Sequence, residues 1–264
     1  MQIGGKVFVV TGGGNGIGRE VVLELVRRGA RVAAVDRRRE SLEETRALAL
    51  PTRVPAYELD ITDRGAVAEL PGRVIAELGQ VDGVVNVAGI IQRFVHINDL
   101  TMDEIEHVLA VNFWGTLFMD KAFLPHLLAR PEASIVNVSS MGALVPVPGQ
   151  GAYGASKAAV KLLTECLFAE LQGTNVLVTV VFPGAVGTRI TENSGVEAPA
   201  MPAGAQPKFT SAPDAGGQIV DAIEKGDFRV LIGGDARMLD RLSRLAPTRA
   251  ITTVAKRMKE SLGL

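Results

Sequence analysis

Seven short strand-like runs, most of them separated by amphipathic stretches, constrain this chain more than any other feature of it. The runs are 6–11, 31–36, 53–60, 81–89, 133–140, 175–184 and 228–232. Helical patterns lie at 17–28, 39–49, 63–78, 101–128, 151–172 and 213–225. Several runs, such as KVFVVT, are apolar throughout rather than alternating, which suits parallel strands covered on both faces. Strands alternating with helices imply βαβ units, and so an α/β fold with a doubly wound, mostly parallel sheet and helices on both sides. One domain over 1–232 accounts for this rhythm, followed by a helical extension over 233–264. The stretch 187–212 interrupts it with Pro199, Pro202 and Pro207 among small residues. It reads as a long functional loop with short helical pieces.

Composition removes several alternatives. With 28 Lys and Arg against 29 Asp and Glu, the net charge is −1, and no global field draws the chain to nucleic acid. Cys166 is the one cysteine, so no internal disulfide forms, and no Cys/His spacing marks a metal site. Cys166 itself, in an apolar helix, is expected in the core. His107 and His126 read as surface or packing residues, Trp114 as packing. His96 sits in a loop where a substrate would enter. The opening residues lack a signal-peptide pattern and no run approaches the length of a membrane span. The expected location is cytoplasmic.

TGGGNGIG at 11–18 follows the first strand and opens the first helix. Gly12, Gly16 and Gly18 let a pyrophosphate approach the backbone, and the helix start offers it free N–H groups and a positive dipole end. Asp36 closes the second strand, where a carboxylate can accept hydrogen bonds from ribose hydroxyls. Arg37 beside it is a candidate for stacking on an adenine. Asp60 closes the third strand and either meets the adenine or caps the next helix. Ala88 and Gly89, in NVAG, leave room for a ribose. All lie at carboxyl ends of strands, where open α/β sheets bind ligands.

Tyr153 and Lys157 stand four apart in YGASK, on one face of a helix. An ammonium there stabilises a phenolate and lowers the tyrosine pKa, which suits proton transfer to or from a substrate oxygen. Ser140, at the end of the fifth strand, can donate a hydrogen bond to the same oxygen. Its neighbour Ser139 points to the opposite face.

Together, TGGGNGIG, NVAG, Ser140, YGASK and PGAVGT (183–188) resemble the ordered motif set of the short-chain dehydrogenases/reductases over roughly residues 4–190. The resemblance implies a seven-stranded Rossmann sheet and a catalytic tetrad of Asn112, Ser140, Tyr153 and Lys157. In that tetrad Tyr153 is the acid/base and Lys157 also binds the nicotinamide ribose. Ser140 polarises the carbonyl, and Asn112 holds a water that links Lys157 to solvent, with a hydrogen bond at a helix kink as its other reading. It further implies cofactor contacts from Asn15, Ile17, Ile61, Asn86, Pro183, Gly184, Val186 and Thr188. The family's usual second Asn in NNAG is Val87 here. NAD is the cofactor expected, because Asp36 would repel the extra phosphate of NADP.

The expected reaction is hydride transfer between nicotinamide and a secondary alcohol or ketone. Met141, Leu144, Val145, Val147 and Gln150 form a mostly apolar patch after Ser140, which points to a lipophilic substrate. Three alternatives are weighed. A 3-oxoacyl-thioester reductase using NADPH is the main competitor. A non-catalytic nucleotide-binding protein would have lost Tyr153 or Lys157. An epimerase or dehydratase would carry a GxxGxxG turn. The resemblance also implies a homodimer or homotetramer built on the helices at 101–128 and 151–172. From Lys225 onward there are nine Lys/Arg and four Asp/Glu, with apolar stripes at 235–245 and 251–262. This tail is expected to pack on protein, with contact to a membrane surface as the less favoured reading.

Overall fold

The computed structural model describes residues 1–49, 54–197 and 209–262. Seven strands form one parallel sheet: β1 (Val7–Thr11), β2 (Arg31–Asp36), β3 (Ala56–Glu58), β4 (Gly83–Asn86), β5 (Ala133–Val138), β6 (Val176–Pro183) and β9 (Arg229–Ile232). Their order is β3-β2-β1-β4-β5-β6-β9. Growth of the sheet therefore reverses between β1 and β4, and the loops after these two strands diverge to leave a crevice. A separate two-stranded ribbon pairs β7 (Val186–Gly187) with β8 (Thr210–Ser211). The expected fold class is the observed one.

Both faces of the sheet are covered. In β1, Phe8 and Val10 join one apolar cluster and Val7 and Val9 the other, all fully buried. This explains why the strand reads as an unbroken apolar run. The first face holds α1 (Gly16–Arg27) and α8 (Ala212–Lys225), which bury Val22, Leu25, Ile219 and Ile223. The second face holds α3 (Arg64–Leu78), α5 (Thr116–Leu128) and α6 (Gly151–Glu170). α2 (Arg39–Leu48) lies between β2 and β3.

Local chemistry sets the helix ends. Asn15 caps α1, Ser211 caps α8, and Asp63 accepts from the N–H groups of Gly65 and Ala66 to cap α3. Asp60 is therefore not that cap; its Oδ1 accepts from the N–H and hydroxyl of Thr62.

The single helix expected over 101–128 is three segments. α4 (Met102–Leu109) opens with a Thr101/Glu104 capping box. A π-helical turn at Ala110–Gly115 carries Asn112 and leads into α5. In the long loop, α7 (Ile190–Asn193) is the helical piece, and Pro199, Pro202 and Pro207 lie outside the described residues.

The tail forms two helices, α9 (Gly234–Leu245) and α10 (Pro247–Leu262). Leu239 and Ala250 pack on Val145, joined by Leu242, Val254, Met141 and Leu144. The tail thus covers the apolar patch that follows Ser140. Cys166 is exposed rather than in the core. The inward face of α6 runs through Val160, Thr164 and Leu167, which turns Cys166 outward, where its thiol donates to Glu170. Trp114 is half exposed against Phe113 and Phe118. His96, His107 and His126 are all exposed.

Candidate active site

The crevice at the β1/β4 reversal begins with the glycine turn. Gly12 has φ +67°, a left-handed conformation that favours glycine. A Cβ on Gly18 would overlap the carbonyl of Gly12, so the helix can start this close to the strand only with glycine there. Gly16 and Ile17 then present the first turn of α1 to the crevice, and Thr188 lies over Gly16.

Asp36 stands at one end. Its two carboxylate oxygens accept from the N–H groups of Gly14 (3.1 Å) and Arg38 (3.1 Å), which fixes the carboxylate in the lining. Asp60 and Ile61 line the same end. Arg37 lines the crevice too, but its guanidinium donates to the carbonyl of Asn193 at 3.3 Å instead of lying free for an adenine. Arg38 donates to the Asn193 side chain at 2.8 Å. The sequence reading missed both Arg38 and Asn193.

At the other end, Gly89 passes close to Lys157 and Asn112. A Cβ on Gly89 would sit 3.1 Å from Lys157 Nζ and 3.2 Å from Asn112 Oδ1. Val87 and Ala88 donate through their N–H groups to Thr11 Oγ1, another residue the sequence reading did not single out. Asn86 does not line the crevice. Its amide donates to Asp120 and Asn137 inside the core, because strand alternation turns it away. Asp120 is fully enclosed there, and burial pushes its carboxyl up to about 7 against the Asn137 and Asn86 hydrogen bonds.

Pro183, Gly184 and Val186 belong to the end of β6 and the turn into β7. The turn is clamped by Asp235 from the start of α9, whose carboxylate accepts from the N–H of Ala185 at 2.7 Å.

The proposed chemical groups converge at the start of α6. Ser140 Oγ accepts from Gly142 N–H at 3.1 Å and faces the ring of Tyr153 across Gly142. Ser139 points the other way and donates to the Lys157 carbonyl at 2.7 Å. Lys157 is buried, its ammonium donating to the Val138 carbonyl at 2.9 Å, and burial lowers its pKa to about 8. Burial also raises the Tyr153 pKa, and the neighbouring Ser140 hydroxyl opposes that rise. The Lys157 ammonium, expected from the spacing to act on the phenol, is turned here to a backbone carbonyl.

Asn112 makes three bonds within this group. Its Oδ1 accepts from Ile90 N–H, and its Nδ2 donates to the Ile90 carbonyl and to Ser156 Oγ. Ser156 in turn donates to the Tyr153 carbonyl. The π-helical turn thus ties the loop after β4 to α6. Gln150 is buried, donates to the Gln92 carbonyl, and leaves its Oε1 without a partner among the described residues. Met141 and Leu144 are half-buried beside it in sequence.

The crevice fits a dinucleotide: a carboxylate at one end, a helix start in the middle, and an ammonium behind Gly89 at the other. Among the described residues, no three His, Cys, Asp or Glu side chains cluster as a metal site would need. No described helix is long and apolar enough to cross a membrane.

A parallel sheet that reverses direction above such a crevice defines a nucleotide-binding α/β protein. The chain belongs to the short chain dehydrogenase family, whose pattern matches residues 6–198, and is an oxidoreductase of that family. It is 37% identical over 257 residues to a Mycobacterium tuberculosis protein named as an oxidoreductase, SadH, with 91% of each chain covered. A short chain dehydrogenase/reductase from Burkholderia phymatum, solved with NAD, superposes with a TM-score of 0.85 at 25% identity, covering 95% of this chain and 97% of that one. A short chain dehydrogenase from Burkholderia cenocepacia, solved with NADP, gives 0.82 at 30% identity, covering 96% and 99%.

Proposed function

We propose that this protein interconverts a lipophilic secondary alcohol and its ketone, with NAD(H) in preference to NADP(H). The observation that carries the reading is the convergence of Ser140, Tyr153 and the buried Lys157 ammonium next to the glycine-floored crevice.

When bound, the dinucleotide supplies or accepts the hydride. Asp36 would hold the adenosine ribose, the first turn of α1 the pyrophosphate, and Lys157 the nicotinamide ribose behind Gly89. Thr188 would contact the carboxamide. Tyr153 gives its phenolic proton to the ketone oxygen during reduction and takes it from the hydroxyl during oxidation. Ser140 donates to the same oxygen and withdraws charge from it. In the structure the ammonium of Lys157 is committed to the Val138 carbonyl. Its swing toward the ribose and the phenol brings the phenolate within working range. Asn112 secures the helix start under this group, with a water to Lys157 as its second role.

The apolar residues after Ser140, covered by the tail, support a lipophilic substrate. Exposed Leu162 on α6 and Trp114 before α5 support a homodimer or homotetramer on these helices. The default compartment is the cytoplasm. The test is turnover on a panel of secondary alcohols and ketones of graded chain length, read by nicotinamide absorbance with each dinucleotide. Rates rising with chain length and higher with NAD support the reading. No turnover on any member, or a preference for NADP, overturns it.

A further inference from the structure

The tail expected to pack on protein does so with only one side. On α9, Ala236, Leu239 and Asp240 are buried, with Leu242 and Ser243 half-buried. Arg237, Met238, Arg241, Arg244 and Leu245 are exposed. At about 100° per residue, these five fall within an arc of roughly 120°. Along that arc the order is Arg244, Arg237, Arg241, then Leu245 and Met238. Leu245 is 86% and Met238 47% exposed. The next position round the helix is Leu242, already in the cluster with Met141, Leu144 and Val145. An apolar track therefore leads from the outer surface to the patch beside Ser140.

The charges on this arc are all positive, while Asp221 and Asp227 line the groove beside Arg237 and Arg241. Both acids of α9 are turned inward: Asp235 binds the Ala185 N–H, and Asp240 takes Arg229 and Arg244. Among the described residues, Arg237, Arg241 and Arg249 form no ion pair. On α10, Arg249 and Lys256 are exposed on one flank and Ile251 on the opposite one.

We infer that the outer arc of α9 forms a docking face for an anionic lipid surface. The arginines meet the headgroups, and Met238 and Leu245 enter the boundary with the acyl chains. Cations flanking isolated large apolar side chains fit a lipid interface better than a protein partner, whose contact would need a continuous apolar centre. The face stands apart from the proposed chemistry, since it is read by lipid binding and not by turnover.

Co-sedimentation of the full chain with vesicles tests it, comparing pure phosphatidylcholine with phosphatidylcholine containing phosphatidylglycerol, at low salt and at about 0.5 M. The expected result is at least tenfold stronger binding to the anionic vesicles at low salt, weakening as salt rises. Arg237→Glu with Arg241→Glu should lower that binding at least tenfold. Leu245→Ser should weaken the part that survives high salt. Both variants should keep wild-type turnover of a short, water-soluble substrate. Absence of binding to anionic vesicles at low salt overturns the inference, as does equal binding to both kinds. Self-association of the wild type that Leu245→Ser abolishes also overturns it, by giving the face to a second copy of the chain.

Discussion

Gln92 caps the helix that carries Tyr153: its Oε1 accepts from the backbone N–H of Tyr153 at 3.0 Å, from 61 residues away. α6 begins at Gly151, and the residue at its own N-cap, Gln150, makes no side-chain cap bond. Gln92 supplies the missing acceptor and is itself held by the Gly149 carbonyl. Replacing Gln92 with Leu should cost about 1–2 kcal/mol of stability, as a lost cap does. It should also lower kcat more than it raises the KM for the dinucleotide. Gln92→Glu keeps the acceptor beside the helix start and should recover most of the rate. Thermal unfolding and steady-state kinetics on the two variants check this, and equal damage from both would remove the capping role.

Tyr153→Phe removes the proton and leaves the ring. Turnover should fall by about 10²–10⁴-fold, the usual contribution of a positioned acid/base. Dinucleotide affinity, read by quenching of intrinsic fluorescence, should change less than threefold. A variant retaining more than a tenth of the rate would place the acid/base elsewhere.

Asp36 holds Gly14 and Arg38 as well as facing the crevice. NAD should exceed NADP by at least tenfold in kcat/KM, about 1.4 kcal/mol. Asp36→Ala should narrow that ratio, mostly by losing NAD turnover, while loosening the turn it holds. The measurement is kcat/KM with both dinucleotides on wild type and variant.

Asp120 ties the core network to pH. Its carboxyl is raised by burial from 3.8 to about 7, so the native state binds the extra proton across that window. Its contribution to stability is therefore full below about pH 4 and is lost as pH rises to about 7. At about 1.4 kcal/mol per tenfold change in the equilibrium, the loss is on the order of 4–5 kcal/mol. Asp120→Asn cannot ionise, so its stability relative to wild type should improve steadily from pH 4 to 7 and level off above. Denaturant unfolding at several pH values checks the slope; a flat difference would show that Asp120 does not titrate there.

A Cβ on Gly184 would overlap the carboxylate of Asp235, which clamps the turn after β6. Gly184→Ala should cost about 1–3 kcal/mol, as overpacking does. It should also raise the KM for the dinucleotide, because Thr188 follows that turn. Adding Asp235→Ala should relieve part of the strain, and the double-mutant cycle measures how much.

What the sequence made legible is what is local. The glycine turn, the strand-end Asp36 and the i, i+4 spacing of Tyr153 and Lys157 each depend on a few neighbouring residues. Gln92, Asp235 and Asn193 act on partners about 50 to 155 residues away, through contacts no short pattern encodes. Cys166 was misplaced because α6 carries apolar residues on several sides, so periodicity alone does not select the inward one. A kink at Asn112 is legible as an expectation, but its π-helical form is not, because such a turn keeps the helical pattern nearly intact. The Tyr153 pKa depends on where the Lys157 ammonium points, which the spacing cannot say.

The strand order also has a temporal side. β1, β2 and β3 pair among themselves using only the first 58 residues, so this unit can form early during synthesis. The other edge of β1 stays open until Gly83–Asn86 emerges to pair with Phe8–Thr11. Through that interval a row of valines with unpaired amides faces the growing chain, a template for wrong strand pairing. The crevice that binds the dinucleotide is made by the same late pairing, so the nascent protein is most exposed to aggregation before its cofactor can help hold it.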